Sequence, residues 1–174
     1  FGRIDVLVNN AALYAGLKGA RFEKLDEAQW DAVMNINVKG LWQCCKAVVQ
    51  PLRAGGGGSI INISSLAAVY GLPYGLDYVA SKAAVIGMTR GMARELGQDR
   101  IRVNAVAPGL FPTPGAWEQL YPPGSQVERQ ELHVPMRRFG VPNEIAEAVA
   151  WMCSDKASFM TGASHVIDGG YYAA

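Results

Sequence analysis

The sequence predicts an α/β fold: a doubly wound parallel sheet with helices on both faces. Short apolar, β-branched runs alternate along the chain with longer segments of helical period. Each apolar run closes on small or polar residues suited to turns. Half of the 174 residues are hydrophobic, enough to bury a core on both sides of a sheet. Such alternation implies parallel βαβ units and right-handed crossovers.

The elements follow in order. "RIDVLVNNAA" (3 to 12) is an apolar run ending in two asparagines, expected as a strand buried on both faces and then a turn. "LDEAQWDAVMNINVKGLWQCCKAVVQPL" (25 to 52) has Asp26 as N-cap and apolar residues at Trp30, Val33, Met34, Val38, Leu41 and Cys45, a helix expected to bend near Asn37 or Gly40. "GGGG" (55 to 58) lacks a following Lys-Ser/Thr and precedes a strand, so it reads as a turn and not a phosphate loop. "SIINIS" (59 to 64) is the second strand. The segment from Asp77 to Leu96 is helical, with Gly87 and Gly91 suggesting close packing against another helix. "IRVNAVAP" (101 to 108) is the third strand. From Leu110 to Pro135 the periodicity dissolves among aromatics and prolines, which predicts a functional loop or lid. "PNEIAEAVAWMCS" (142 to 154) is a helix with Asn143 as N-cap behind Pro142, and "SHVID" (164 to 168) is a last short strand.

Net charge is +1 and charges of both signs are interspersed, so neither a nucleic-acid field nor a polybasic membrane arm is expected. Three cysteines without a C-x-x-C pair make a reducing, cytoplasmic compartment the simplest reading. The chain opens on Phe, which leaves room for a removed N-terminal address. His133 and His165 lack metal-ligand spacing, and no metal is expected. Arg137 and Arg138 precede "FGVP", and at least one is expected to hold that loop-to-helix joint.

In parallel sheets ligands bind beyond the carboxyl ends of the strands. Those ends carry "NNAA", "SS" and "PGLFPT", three pieces converging on one crevice. In "YVASK" helical spacing puts Tyr78 and Lys82 on one face, about 6 Å apart in axial rise. A free tyrosine, with a pKa of about 10, is a poor base at neutral pH, and an adjacent ammonium is expected to lower it. The tyrosine could then exchange a proton with an alcohol or carbonyl oxygen, steadied by Ser65. Oxidising an alcohol also needs a hydride acceptor, which no side chain supplies, so a nicotinamide cofactor, NAD(H) or NADP(H), is implied.

Taken together, "NNAA", "NINVKG", "INISS", "YVASK", "APGLFPT" and "IDGG" make the chain resemble the short-chain dehydrogenases/reductases, in that family's order and spacing along its whole length. The resemblance implies a Rossmann-like fold. It also implies Tyr78 as general acid/base, Lys82 as a ribose ligand, Ser65 as substrate-orienting hydroxyl, and Asn37 as holder, through its backbone carbonyl, of a water in a proton relay. Asn10, Ala11, Ala12, Pro108, Gly109 and Leu110 would line the cofactor, and Thr113 would reach its carboxamide or phosphate side.

Ala12 stands where that family usually has Gly. The family's first strand, glycine-rich turn and next two strands, which cradle the pyrophosphate and choose NAD or NADP, would precede Phe1. A longer protein, a truncation surviving through oligomerisation and an inactive fragment all fit; the first is preferred because an uncovered core-strand edge is avoided by natural proteins.

Leu66, Ala67, Tyr70, Tyr74, Phe111, Trp117 and Tyr121 are the expected substrate wall, apolar or aromatic without fixed charge. They suggest a neutral, partly apolar secondary alcohol or ketone. The resemblance also allows sugar alcohols and 3-oxoacyl thioesters. A homodimer or homotetramer packed through helices 26 to 51 and 77 to 96 is expected, with "YYAA" as a second contact. A non-catalytic subunit or scaffold is the alternative. A serine hydrolase is weaker, because "ISSLA" lacks the G-x-S-x-G elbow.

Overall fold

In the computed structural model, which describes residues 2–113 and 131–173, four strands form one fully parallel sheet in the order β1 (Val6–Asn9), β2 (Gly58–Ile63), β3 (Ile101–Pro108) and β4 (Ser164–Ile167). Spatial order equals chain order, so each strand pairs with its successor. Trp117, Tyr121 and most of the expected lid lie outside the described residues.

β1 leads through a loop to α1 (Glu27–Met34), capped by Asp26 Oδ1 accepting from Ala28 N at 3.0 Å. The helix then passes into a π-helical turn, Asn35–Gly40, before α2 (Leu41–Ala54). The expected bend near Asn37 is therefore a widened turn, an arrangement often found at functional sites. After β2 come the single-turn α3 (Ala67–Tyr70) and the long α4 (Leu76–Leu96). α5 (Pro142–Cys153) precedes β4. Its N-cap is Val141 and not Asn143: Pro142 occupies the first helical position, where its missing N–H goes unneeded.

The period-2 alternation sorts the core into two layers. Ile60, Ile101 and Val103 face α2 and α4, meeting Leu41, Cys45, Leu52, Val85, Ala93 and Leu96. Ile61 and Val106 face the other way, onto Met152 of α5. Burying a side chain of this size fully is worth about 1.5–3 kcal/mol, so the two layers carry most of the stabilisation.

Two expectations are corrected here. The strand at 3 to 12 is not buried on both faces: Leu7 packs on the α2 layer, but Val6 and Val8 are 40% and 41% exposed, because α5 covers β2 and β3 without reaching β1. Nor can every crossover share one hand. The chain advances β1 to β4 in one direction, yet α2 and α4 lie on one face and α5 on the other, so the last crossover is opposite in hand to the first two. Within the chain, Gly87 and Gly91 are exposed, with nothing within 4 Å of a Cβ placed there, so a helix packed on them would have to come from a second copy.

The "GGGG" turn is a matter of clearance. Gly57 has φ +131° and a Cβ there would stand 2.6 Å from the Arg100 carbonyl. At the far end of the sheet Arg102 caps α5, giving Nη1–H to Met152 O at 2.7 Å and Nη2–H to Cys153 O and Ser154 O at 3.3 and 3.2 Å. These are orphan carbonyls at the negative end of the helix. Replacing Arg102 with methionine is expected to cost about 1–3 kcal/mol in urea unfolding with turnover retained. Unchanged stability would mean that water serves those carbonyls equally well.

Among the described residues no helix is long and apolar enough to cross a membrane.

Candidate active site

The carboxyl ends of the strands converge as the topology requires. β2 ends at Ile63, and α4 is tied to that end twice. Lys82 Nζ donates to Ile63 O at 2.8 Å, and Ser64 Oγ donates to Lys82 O at 2.8 Å. Lys82 is 4% exposed. Its ammonium carries three N–H donors, of which the Ile63 carbonyl takes one. Among the described residues no carboxylate pairs with it, and burial pulls its pKa down from 10.5 to about 8.

Tyr78 lies one turn before Lys82 on α4, with the Lys82 Nζ 5.7 Å from the centre of its ring. The expectation that the ammonium lowers the tyrosine pKa is not what this geometry yields. Burial pushes the Tyr78 phenol above 10, the side-chain hydrogen bond of Ser65 pulls it partly back, and Tyr14 adds a small upward push. Lys82 gives its hydrogen bond to the backbone of β2, and its own charge is destabilised by the same burial, so the desolvation of the phenol prevails. Tyr78 is thus a protonated phenol at neutral pH. Ser65 also accepts the Ala67 N–H at 3.1 Å, which starts α3.

Asn37 is buried in the π turn, and its side chain is fully engaged. Oδ1 accepts from Leu13 N at 2.7 Å, while Nδ2 donates to Leu13 O at 3.0 Å and to Ser81 Oγ at 3.1 Å. Ser81 Oγ in turn donates to Tyr78 O at 2.8 Å. One asparagine therefore pins the loop after β1 to the helix that carries Tyr78 and Lys82. That side-chain role was not evident from the sequence, where the family resemblance implied a role for the backbone carbonyl.

Other partners surround the site. Asp77, 1% exposed, accepts Tyr78 N through Oδ1 and Gln29 Nε2 through Oδ2, both at 2.8 Å. Gln29 also exchanges hydrogen bonds with both backbone groups of Lys18. Tyr14 places its hydroxyl 3.0 Å from Thr113 Oγ1. Asp77 could have been suspected as an acid in the first turn of a helix; Gln29, Ser81 and Tyr14 carry no local signal.

Below the site Asn9 Nδ2 donates to Asn62 Oδ1 at 2.8 Å and to Cys45 Sγ at 3.2 Å, and Asn62 Nδ2 donates to Thr89 Oγ1 at 3.0 Å. The first asparagine of "NNAA" is thus a core strut between β1, β2 and the helices.

Of the residues expected to line the crevice, Asn10 to Ala12 follow β1, Pro108 ends β3, and Gly109 and Leu110 follow it. Gly109 passes so close to Asp168 that a Cβ would lie 2.5 Å from it. Leu66 and Ala67 are buried, at 3% and 6% exposure, with Leu66 N on Pro108 O at 2.9 Å. Tyr70 stacks obliquely on Tyr171 with ring centres 6.1 Å apart. Tyr74 is 64% exposed at φ +63°, its carbonyl accepting Ala20 N at 3.0 Å. The Phe111 ring packs on the backbone of Gly140, where a Cβ would fall 2.1 Å from the ring. Phe111 and Leu110 line a cavity with Val134, Met136 and Arg138 at the root of the expected lid. Arg138 holds the joint before α5 through Glu144, at 2.6 and 2.9 Å, which draws the Glu144 carboxyl down to about 2. Glu144 Oε2 also accepts the Val141 N–H. His133 and His165 join no group of potential metal ligands among the described residues.

Residues 1–172 match the protein family described as enoyl-(acyl carrier protein) reductase. The chain is 44% identical over 170 residues to the 3-oxoacyl-(acyl-carrier-protein) reductase of Thermotoga maritima, covering 98% of this chain and 67% of that protein. Among solved structures, levodione reductase superposes with a TM-score of 0.93 at 36% identity, over 100% of this chain and 69% of that one. A putative 2-deoxy-d-gluconate 3-dehydrogenase from Agrobacterium tumefaciens, with NADP bound, superposes at 0.90 with 33% identity, over 98% and 68%. The chain spans about two thirds of the length of these proteins.

Proposed function

The chain belongs to the short-chain dehydrogenase/reductase family, and from that premise we propose that it serves a nicotinamide-dependent oxidoreductase that interconverts a secondary alcohol and a ketone, with Tyr78 as the proton carrier. The observation that carries this reading is the grouping at the carboxyl end of β2: the half-buried Tyr78 phenol, the half-buried Ser65 hydroxyl beside it, and the buried Lys82 ammonium one helical turn on, with donors to spare.

The residues present fit such a cofactor. Two remaining Lys82 N–H donors suit the paired hydroxyls of a ribose, and the backbone of Asn10 to Ala12 and of Pro108 to Leu110, with Thr113, would border the nicotinamide. When bound, that cofactor supplies or takes the hydride. Tyr78 gives its phenolic proton to the oxygen of a substrate carbonyl, or takes it back in the reverse direction, while Ser65 hydrogen-bonds the same oxygen and fixes its approach. Lys82 supplies positive charge that favours the phenolate left behind. The protonated phenol is the form that reduction uses, and the phenolate is the form that oxidation uses. Asn37 serves mainly by holding the two halves of the site in register.

The substrate proposed is a neutral, partly apolar ketone. Tyr70 and Phe111 support it, as does the engagement of nearby acids: Asp77 is held by Gln29, and Asp168 accepts from Gly170 and Tyr172 N–H groups. The chain is proposed to assemble as a dimer or tetramer through the exposed small-residue face of α4. Residues 110 to 135 are proposed as the lid. The test is NADPH and NADH oxidation by the purified protein against neutral ketones, sugar-derived ketones and 3-oxoacyl thioesters. Turnover of neutral ketones is expected. Activity confined to the thioesters or polyols would replace the substrate proposal, and absence of nucleotide binding would remove the function.

A further inference from the structure

We propose that Tyr14 is a positioning residue, a strap that holds the Thr113 loop in place for the nucleotide. What Thr113 does rests on the dehydrogenase reading; what Tyr14 holds rests on geometry alone.

Tyr14 is anchored at root and tip. At the root, both backbone groups of Leu13 are bonded to the Asn37 side chain, itself 2% exposed. At the tip, the hydroxyl meets Thr113 Oγ1 at 3.0 Å. β1 and β3 are not neighbours, because β2 lies between them. The Tyr14 side chain therefore reaches from the loop after β1 to the loop after β3, past the strand end that carries Ser65. It lies near enough to Tyr78 that an ionised Tyr14 would disfavour a phenolate there.

A tyrosine suits the task. Its ring has two side-chain rotations and a hydroxyl at the end of a rigid body, so once the root is fixed little freedom is lost in making the distal bond. The segment it holds leaves β3 at Pro108 and passes Gly109, which already packs closely on Asp168. A loop fixed at its base by Gly109 and at Thr113 by Tyr14 is shaped before a ligand arrives, and a pre-shaped loop spares binding the free energy of ordering it. The strap should thus act on nucleotide affinity and leave the chemical step alone. Thr113 has further contacts, so the coupling between the two residues is the quantity to measure.

The experiment combines hydrogen exchange on the nucleotide-free protein with steady-state kinetics for Tyr14→Phe, Thr113→Val, their double variant and Thr113→Ser. Tyr14→Phe is expected to speed exchange over residues 109 to 113 by about three- to ten-fold. It should add nothing once Thr113→Val is present, and Thr113→Ser should keep the coupling. KM for NADP(H) should rise by a similar factor, with kcat and its pH profile unmoved. Unchanged exchange in Tyr14→Phe, or an equal increment in the Thr113→Val background, overturns the strap. A shifted pH profile, or a fall in kcat of a hundred-fold, would make Tyr14 part of proton transfer and overturn the positioning role. A wild-type protein that binds no nicotinamide nucleotide would overturn the proposed function and the nucleotide role together, while exchange would still decide whether the strap exists.

Discussion

Replacing Tyr78 with phenylalanine is expected to lower ketone reduction by about 10²- to 10⁴-fold or more with the fold intact. The substitution removes one oxygen and leaves the ring, so packing on α4 survives. What disappears is the proton that must reach the substrate oxygen as the hydride reaches carbon, together with the bond to Ser65. Nucleotide affinity should change little, because Lys82 keeps its own anchor on Ile63. The measurement is kcat beside a binding titration on the same preparation. A variant retaining more than a tenth of wild-type turnover would move proton transfer to another group, and equal, negligible nucleotide binding in both proteins would favour the scaffold reading.

Lys82→Met is expected to abolish turnover to a comparable degree and, unusually for a core substitution, to raise stability. The folded-state pKa of about 8 lies below the unfolded value of 10.5, so between those pH values the unfolded chain binds the proton that the native protein lacks. Stability therefore rises with pH across that window, and below about pH 8 the buried ammonium imposes its full penalty. The separation corresponds to roughly 3 kcal/mol. Methionine fills similar volume without charge, but leaves the Ile63 carbonyl without its donor, so a net gain of about 1–3 kcal/mol at pH 7 is expected. Denaturant unfolding from pH 7 to 11 should show the wild-type curve climbing toward that of the variant. Parallel curves would mean that the lysine is not titrating in that range.

The sequence made legible whatever is local. Strand and helix spans followed from period and from turn residues, with β3 matching from Ile101 to Pro108 and Asp26 capping α1 as expected. The Tyr78–Lys82 pair was visible because four residues of helix bring them together regardless of context. Distant partners were hidden. Nothing near Tyr14 announces Thr113, nothing near Gln29 announces Asp77, and Asn37 faces Leu13 only because the π turn aims it there. The sign of the Tyr78 shift was also hidden, because it depends on how deeply α4 sinks against β2, and an apolar surround outweighs a cation 5.7 Å from the ring. The exposure of β1 and the reversed last crossover are properties of which helices cover which strands, and a periodicity reports only that some face is covered.

The widened turn at Asn35–Gly40 accommodates one more residue than an α-helical turn would. A single residue sets an α-helix about 100° out of phase. With α1 fixed by its Asp26 cap and by Gln29, and α2 fixed by Leu41, Cys45 and Leu52 in the core, the surplus residue has nowhere else to go. Deleting one residue there would confront the chain with two incompatible choices: rotate α2 and unseat three core side chains, or rotate α1 and swing its contacts away from Asp77. The segment can therefore tolerate changes of letter far better than changes of length.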